Sequence, residues 1–227
     1  MDWLAARALG IAEIAWVNIL LSGDNAVVIA LASRSLPERQ RTLGILFGAG
    51  AAIALRIFFA LVVTEIMGID YLKIVGGVLL VWIAIRLAKG EEEADRDVAA
   101  HDQLWRAVLT IAIADATMSL DNVIAIAAIA GGEQWLFIFG LALSIPLIVV
   151  GSSLILNLME RYPIIVWGGA ALLGWVAGEM VATDPVLAPT IGLPDSTSGE
   201  YAFAAAGALV VVAFAYFLKQ RQKARAT

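Results

Sequence analysis

Apolar residues run along this chain in long blocks separated by short polar breaks, without the period of two or 3.6 that marks half-buried elements. Seven blocks reach the roughly 17–25 residues a helix needs to cross a bilayer, at about 9–32, 43–67, 71–88, 104–130, 135–159, 163–182 and 201–218. They predict an all-α membrane protein of seven transmembrane helices. The polar breaks then sort by charge. Arg34, Arg39 and Arg41 follow the first block, and Arg86, Lys89, Arg96 and Arg106 bracket the break after the third. Arg161 follows the fifth, and Lys219, Arg221, Lys223 and Arg225 follow the seventh, whereas the opposite side holds only Arg7 and Lys73. Positive residues mark the cytoplasmic side, so the N-terminus is expected outside and the C-terminus in the cytoplasm. Trp3, Tyr71, Trp105, Trp135, Tyr162 and Tyr201 fall at block ends, where an interfacial aromatic belt places such side chains. The first block follows Met1-Asp2-Trp3 with no basic n-region, so it reads as a retained helix rather than a signal peptide.

Two blocks carry the same polar interruption. The first reads Asn18-Ile-Leu-Leu-Ser22-Gly-Asp24-Asn25-Ala, the fourth Asp115-Ala-Thr-Met-Ser119-Leu-Asp121-Asn122-Val. The third and sixth also match: Tyr71, Gly76-Gly77, Trp82 and Arg86 align with Tyr162, Gly168-Gly169, Trp175 and Glu179 across two single-residue insertions. Each unit has three spans, an odd number, so the second must lie inverted relative to the first. The expected organisation is a single transmembrane domain over 1–227, built as two inverted three-helix repeats plus a seventh helix. Repeat 1 covers about 9–88, an acidic cytoplasmic loop about 89–103, repeat 2 about 104–182, an extracytoplasmic loop 183–200, the seventh helix about 201–218 and a basic cytoplasmic tail 219–227. Inverted repeats are a transporter signature, with the substrate site near the bilayer midplane.

A carboxylate at mid-span costs about 2.5–3.5 kcal/mol on the insertion scale and so marks a functional site by default. Asp24 and Asp121 each lie about eight or nine residues, roughly 12 Å, from their block ends, and inverted helices can bring them together. Asp115 enters the same region from the cytoplasmic side. Asn18, Ser22, Asn25, Ser119 and Asn122 add further oxygens. On an ideal helix Asp115, Ser119 and Asn122 share one stripe, as do Asn18, Ser22 and Asn25, while Asp121 lies about 120° from Asp115. Either the site spans a wide arc or a helix unwinds, with Gly23 the expected place for a break that would free backbone carbonyls. Carboxylate, amide and carbonyl oxygens suit Mg²⁺, Ca²⁺ or Mn²⁺. Met118 offers a thioether that would favour Mn²⁺; ordinary helix packing is the equal alternative. Arg56, at the centre of the second block, needs a buried carboxylate partner, for which Asp24, Asp121 and Glu179 are the candidates. It either competes with the cation in the empty state or forms a fixed ion pair. Glu179 is a pathway carboxylate or an end cap of its helix.

Composition narrows the classes. With 61% hydrophobic and 15% charged residues and a mean hydropathy of +0.88, the chain is neither a soluble globule nor disordered. A net charge of −5 argues against nucleic acid as a partner. The absence of cysteine excludes disulfides, thiol catalysis and thiolate metal sites, and the single His101 leaves no imidazole cluster, so no enzyme is expected. The acidic run at 91–97 reads as a solvated loop. A retinal protein would need a lysine deep in the last span, which has none before Lys219.

The paired motifs, Ser22-Gly-Asp24-Asn25-Ala and Asp115-Ala-Thr-Met-Ser119-Leu-Asp121-Asn122, resemble those of the TerC family of integral membrane proteins, in particular its short bacterial branch within the LysE-type exporter superfamily. The resemblance covers nearly the whole chain. It implies a bacterial inner-membrane protein with Mn²⁺ export as its role, with Asp24 and Asp121 matching the motif aspartates and Asp115 the acidic residue that opens the second motif. Asn18 stands where the second half has Asp115, so the halves are not charge-equivalent.

The expected function is therefore export of a divalent metal ion, most aptly Mn²⁺, by alternating access with H⁺ antiport. Asp24, Asp121, Asp115, Asn25 and Asn122 are the expected ligands, and Asn18, Ser22, Ser119, Met118, Arg56 and Glu179 secondary or pathway residues. The metal is cargo, and no resident cofactor is expected. The partners are the lipid bilayer, the divalent metal ion and protons; whether the chain forms a homo-oligomer does not follow from the sequence. The alternatives are transport of Ca²⁺, a small organic cation or an amino acid, and a non-transporting membrane partner that supports metalation of envelope or secreted enzymes. Because the chain has no cysteine, single cysteines report its orientation. A membrane-impermeant maleimide should label Ser196→Cys on intact cells, and Gln222→Cys only after permeabilisation; the reverse pattern would invert the topology.

Overall fold

Blocks this uniformly apolar can satisfy their backbone polar groups within hydrocarbon only inside the segment itself, which means a helix. A computed structural model describes residues 2–66, 71–89, 100–130, 133–190 and 197–226. Among them are seven long helices, one helical turn and no strand: α1 (Asp2–Arg34), α2 (Glu38–Ile66), α3 (Leu72–Lys89), α4 (Ala100–Ala130), α5 (Gln134–Arg161), α6 (Ile164–Ala182), the turn α7 (Leu187–Thr190) and α8 (Thr197–Ala226). Each long helix covers one expected block and most run past it by a few residues, because polar end residues continue a helix once the apolar stretch has nucleated it. By length and composition α1, α2, α5, α6 and α8 are able to cross a membrane. The 18-residue α3, which holds Lys73, Arg86 and Lys89, falls outside that measure. The acidic run at 91–97 lies outside the described residues, as do the side chains of Trp3, Glu65, His101 and Asp121.

The helices pair across the two halves of the chain. α1 packs against α5, α2 against α4 and α3 against α6, while α1 and α4 meet each other and α8 lies on α6. Exchanging α1, α2 and α3 with α4, α5 and α6 leaves these pairings unchanged. Contacts advance together along the α2–α4 pair, from Gly48 on Ile111 to Arg56 on Ser119, and along the α1–α5 pair, from Ile14 on Gly140 to Ala26 on Gly151. Both pairs are therefore parallel. The α6–α8 pair is antiparallel, with Gly174 on Gly207 and Gly178 on Phe203.

The interior of the bundle is one apolar cluster that includes Ile29, Leu80, Ile83, Ile111, Ile148 and Leu173. Equally large apolar side chains face outward, among them Leu61, Ile138, Ile164 and Leu209. An exposed apolar sheath of this extent is a surface that lipid covers. Tyr71, Trp105, Trp135, Tyr162 and Tyr201 stand exposed at helix ends, as the belt requires. Beyond α6 the Asp184 carboxylate is fully buried and accepts the Val186 and Leu187 backbone N–H groups at 3.0 and 3.2 Å, which starts the α7 turn. At the opposite end Arg41 pairs with Glu160 and so ties α2 to α5.

Close approach of α6 and α8 depends on glycine. A Cβ on Gly207 would collide with the Gly174 carbonyl, and one on Gly178 with the Phe203 carbonyl, backbone atoms that cannot rotate aside. Overpacking typically costs about 1–3 kcal/mol. Gly207→Val should therefore lower the thermal midpoint of the detergent-purified protein clearly, whereas Gly168→Ala, with nothing within 4 Å of its Cβ position, should leave it unchanged or raise it.

Candidate functional site

Residues at i, i+4 and i+7 of a helix share a face, and both polar motifs use that spacing. Asn18, Ser22 and Asn25 on α1 and Asp115, Ser119 and Asn122 on α4 are all buried, none more than 4% exposed. The stripes read from the sequence are thus turned into the bundle, on the two helices that meet at its centre.

The α4 stripe is held by α2. Arg56, 3% exposed, donates from Nη2 to Asp115 Oδ1 at 3.0 Å and from Nε to Ser119 Oγ at 3.2 Å. The α1 stripe is held by α5: Ser144 Oγ donates to Asn18 Oδ1 at 3.0 Å. Gly140, one turn before Ser144, lets α5 approach Asn18 and Ile14. The residue that opens each motif, Asn18 or Asp115, is therefore the one bonded across to the partner helix. Asp24 lies on the flank of its stripe, partly buried. It accepts the Asn25 backbone N–H at 2.7 Å and is within electrostatic reach of both Arg56 and Asp115. That brings the α1 motif and the α2–α4 pair into one polar region.

Several atoms of this region have no hydrogen-bond partner among the described residues: Ser22 Oγ, Asn25 Oδ1, Asp115 Oδ2 and Asn122 Nδ2. Buried polar atoms are usually paired, and each one left unpaired costs about 1–3 kcal/mol. Three of the four are oxygens. Among the described residues no three His, Cys, Asp or Glu side chains come together, so the described part of the region offers two carboxylates, Asp24 and Asp115, with neutral oxygens around them. A cavity of about 470 Å³ between the ends of α1, α2, α3 and α5 is lined by Arg34, Glu38, Arg41, Arg86 and Glu160 and contains none of the stripe residues. Leu31 and Met159 line its inner wall and belong to the apolar core.

Two expectations change, and two open alternatives are narrowed. The break at Gly23 does not occur: α1 and α4 are continuous through both motifs. The Asn18 and Asn25 amides donate to the Ile14 and Leu21 carbonyls four residues back, at 3.0 and 2.7 Å, and these bonds follow the helix rather than opening it. Among the described side chains the partner of Arg56 is Asp115, not Asp24 or Glu179, because α2 packs on α4 with Arg56 opposite Ser119. Met118 is 4% exposed and packed in the apolar cluster, so its thioether serves packing. Glu179 is exposed near the end of α6, apart from the stripes. Ser152 and Ser153 bond carbonyls of their own helix. Glu13 is exposed. The bond of Ser144 to Asn18 follows from the α1–α5 packing, which the sequence does not reveal.

A family model described as "Integral membrane protein TerC family" matches residues 4–223. The chain is 40% identical to the uncharacterized membrane protein YjbE of Bacillus subtilis (strain 168) over 171 residues, which is 75% of this chain and 78% of that one. It is 27% identical to the uncharacterized membrane protein YceF of the same organism, over 72% of this chain and 67% of the relative. With a third, YkoY, it shares 22% identity over 74% and 60%. No solved structure matches.

Breaking a buried ion pair by removing one partner typically costs about 3–5 kcal/mol, while replacing both by apolar groups is often neutral. Asp115→Leu and Arg56→Met should each lower the thermal midpoint of the purified protein sharply, and the double variant should recover most of the loss. If the two single effects simply add, the pair is not coupled.

Proposed function

This chain belongs to the TerC family of integral membrane proteins, and we propose that it exports a divalent cation, with Mn²⁺ its best-suited cargo, through the polar region between α1, α2 and α4. The observation that carries this reading is the set of buried oxygens without partners among the described residues, Ser22 Oγ, Asn25 Oδ1 and Asp115 Oδ2, beside the Asp24 carboxylate. Oxygen atoms of this kind bind hard cations. A charged group within a membrane-spanning bundle is retained where it serves an ion pathway. Asp24, Asp115 and Asp121 are the charged ligands in this proposal, and Asn25 and Asn122 the neutral ones. With α1 and α4 unbroken, the ligands are side chains spread over a wide arc rather than freed carbonyls. Manganese is preferred to Ca²⁺ or Mg²⁺ on the family resemblance, since Met118 supplies no thioether.

All seven long helices are proposed to cross the inner membrane, with the N-terminus outside. The parallel α1–α5 and α2–α4 pairs support this, because α2 and α4 run the same way only if α3 returns the chain between them. The exchange-invariant packing of α1, α2 and α3 against α4, α5 and α6 supports inverted repeats. Such repeats give alternating access around a fixed site. Displacement of protons from the carboxylates by the entering cation would couple export to H⁺ entry.

Proteoliposomes holding the purified protein should take up Mn²⁺ well above protein-free vesicles. Asp24→Asn and Asp121→Asn should each reduce the rate at least about tenfold while eluting like wild type on size exclusion. Uptake equal to that of empty vesicles for Mn²⁺, Ca²⁺ and Mg²⁺ alike would overturn the proposal, and a flux indifferent to a pH gradient would remove its proton coupling.

A further inference from the structure

Arg56 is the only buried basic residue among the described ones, and it occupies the carboxylate that the transport reading assigns to cargo. Its guanidinium lies 3.0 Å from Asp115 Oδ1 and 3.2 Å from Ser119 Oγ. A cation coordinated by Asp115 and a guanidinium bonded to it are like charges competing for one anion in a medium that screens them poorly. With Arg56 on Oδ1 and the cation on the open Oδ2, the two repel each other across one carboxylate.

We propose that Arg56 is a tethered counter-cation: in the cargo-free protein it takes the cation's place on Asp115, and the incoming cation displaces it. This inference rests on the cation-transport reading. Three features separate it from a purely structural strut. Arginine that serves to lock a carboxylate commonly does so through the two-bond fork, whereas here one carboxylate oxygen is bound and Asp115 Oδ2 is left without a partner among the described residues. A guanidinium keeps its charge whatever the surroundings, so it compensates Asp115 without a proton or a second ion. The motif-opening position of α1 is the neutral Asn18, bonded to the neutral Ser144. The single extra carboxylate of the second motif is thus matched by a single fixed cation.

The consequence concerns affinity: Arg56 sets how tightly the cargo is held, since each bound cation must first win Asp115 from it.

The test is Mn²⁺ binding by titration calorimetry to the full-length protein in nanodiscs. Arg56→Gln should bind Mn²⁺ about tenfold more tightly than wild type, and Mn²⁺ should raise its thermal midpoint by more than it raises that of wild type. Arg56→Lys, which keeps the charge without the fork, should stay nearer to wild type. Arg56→Gln that elutes normally yet binds Mn²⁺ equally or more weakly would overturn the inference and leave the transport reading standing. Wild-type protein that binds no divalent cation would overturn both. Should Arg56→Gln fail to fold, phenylglyoxal modification of wild-type Arg56, mapped by mass spectrometry, takes its place. Mn²⁺ should increase that modification several-fold as the guanidinium is released, and an unchanged yield would count against displacement.

Discussion

A charge inside an apolar bundle must be neutralised where it stands, and Asp115 with Arg56 is where this protein meets that constraint. Both side chains are almost fully buried, so neither can turn to water. The effective penalty of desolvating each ion is several kcal/mol, and only a close partner with further hydrogen bonds offsets it. Here the partner is 3.0 Å away and Ser119 adds a second acceptor. The pair in turn dictates packing. It requires α2 to lie along α4 in parallel, at a register that puts Arg56 opposite the Asp115–Ser119 turn. Gly48 allows that approach, because a Cβ there would run into Ile111.

The α1–α5 pair solves the same problem without charge. Asn18 stands where α4 has Asp115, and a serine hydroxyl suffices as its partner. The two halves therefore share a plan, a motif-opening polar residue bonded across to a parallel neighbour, and differ by one carboxylate and one guanidinium. That difference keeps the internal charge balanced at this level of the bundle while making its two sides chemically distinct.

Much of this was legible in the sequence, and the reasons are specific. Uninterrupted apolar blocks leave helices as the only way to satisfy the backbone, so the seven long helices follow. The i, i+4, i+7 spacing of Asn18, Ser22 and Asn25, and of Asp115, Ser119 and Asn122, forces each trio onto one face, and an apolar bundle has one place to hide such a face. The partner of Arg56 was not legible. Depth along a helix can be counted from residues, but which helix lies beside α2 is a property of the packed bundle. Gly23 misled for a related reason. Glycine permits a break without requiring one, and the neighbouring asparagine amides bond to helix carbonyls already committed four residues back. Met118 could not be assigned either way from its position alone, since the residue before Ser119 faces core or cavity according to how α4 is rotated.

The pairing of helices also bears on how such a bundle can change its access. If the two sequence repeats moved as bodies, α1 would separate from α5 and α4 from α2, breaking the Asn18–Ser144 bond and the Arg56–Asp115 pair together. A motion of the α1–α5 pair against the α2–α4 pair leaves both bonds intact and shears the contacts between the pairs, α1–α4, α2–α5, α1–α2 and α4–α5. The cavity beside Arg34, Arg41 and Arg86 is lined in part by Leu31 and Met159, one from each member of the α1–α5 pair, and both belong to the apolar core.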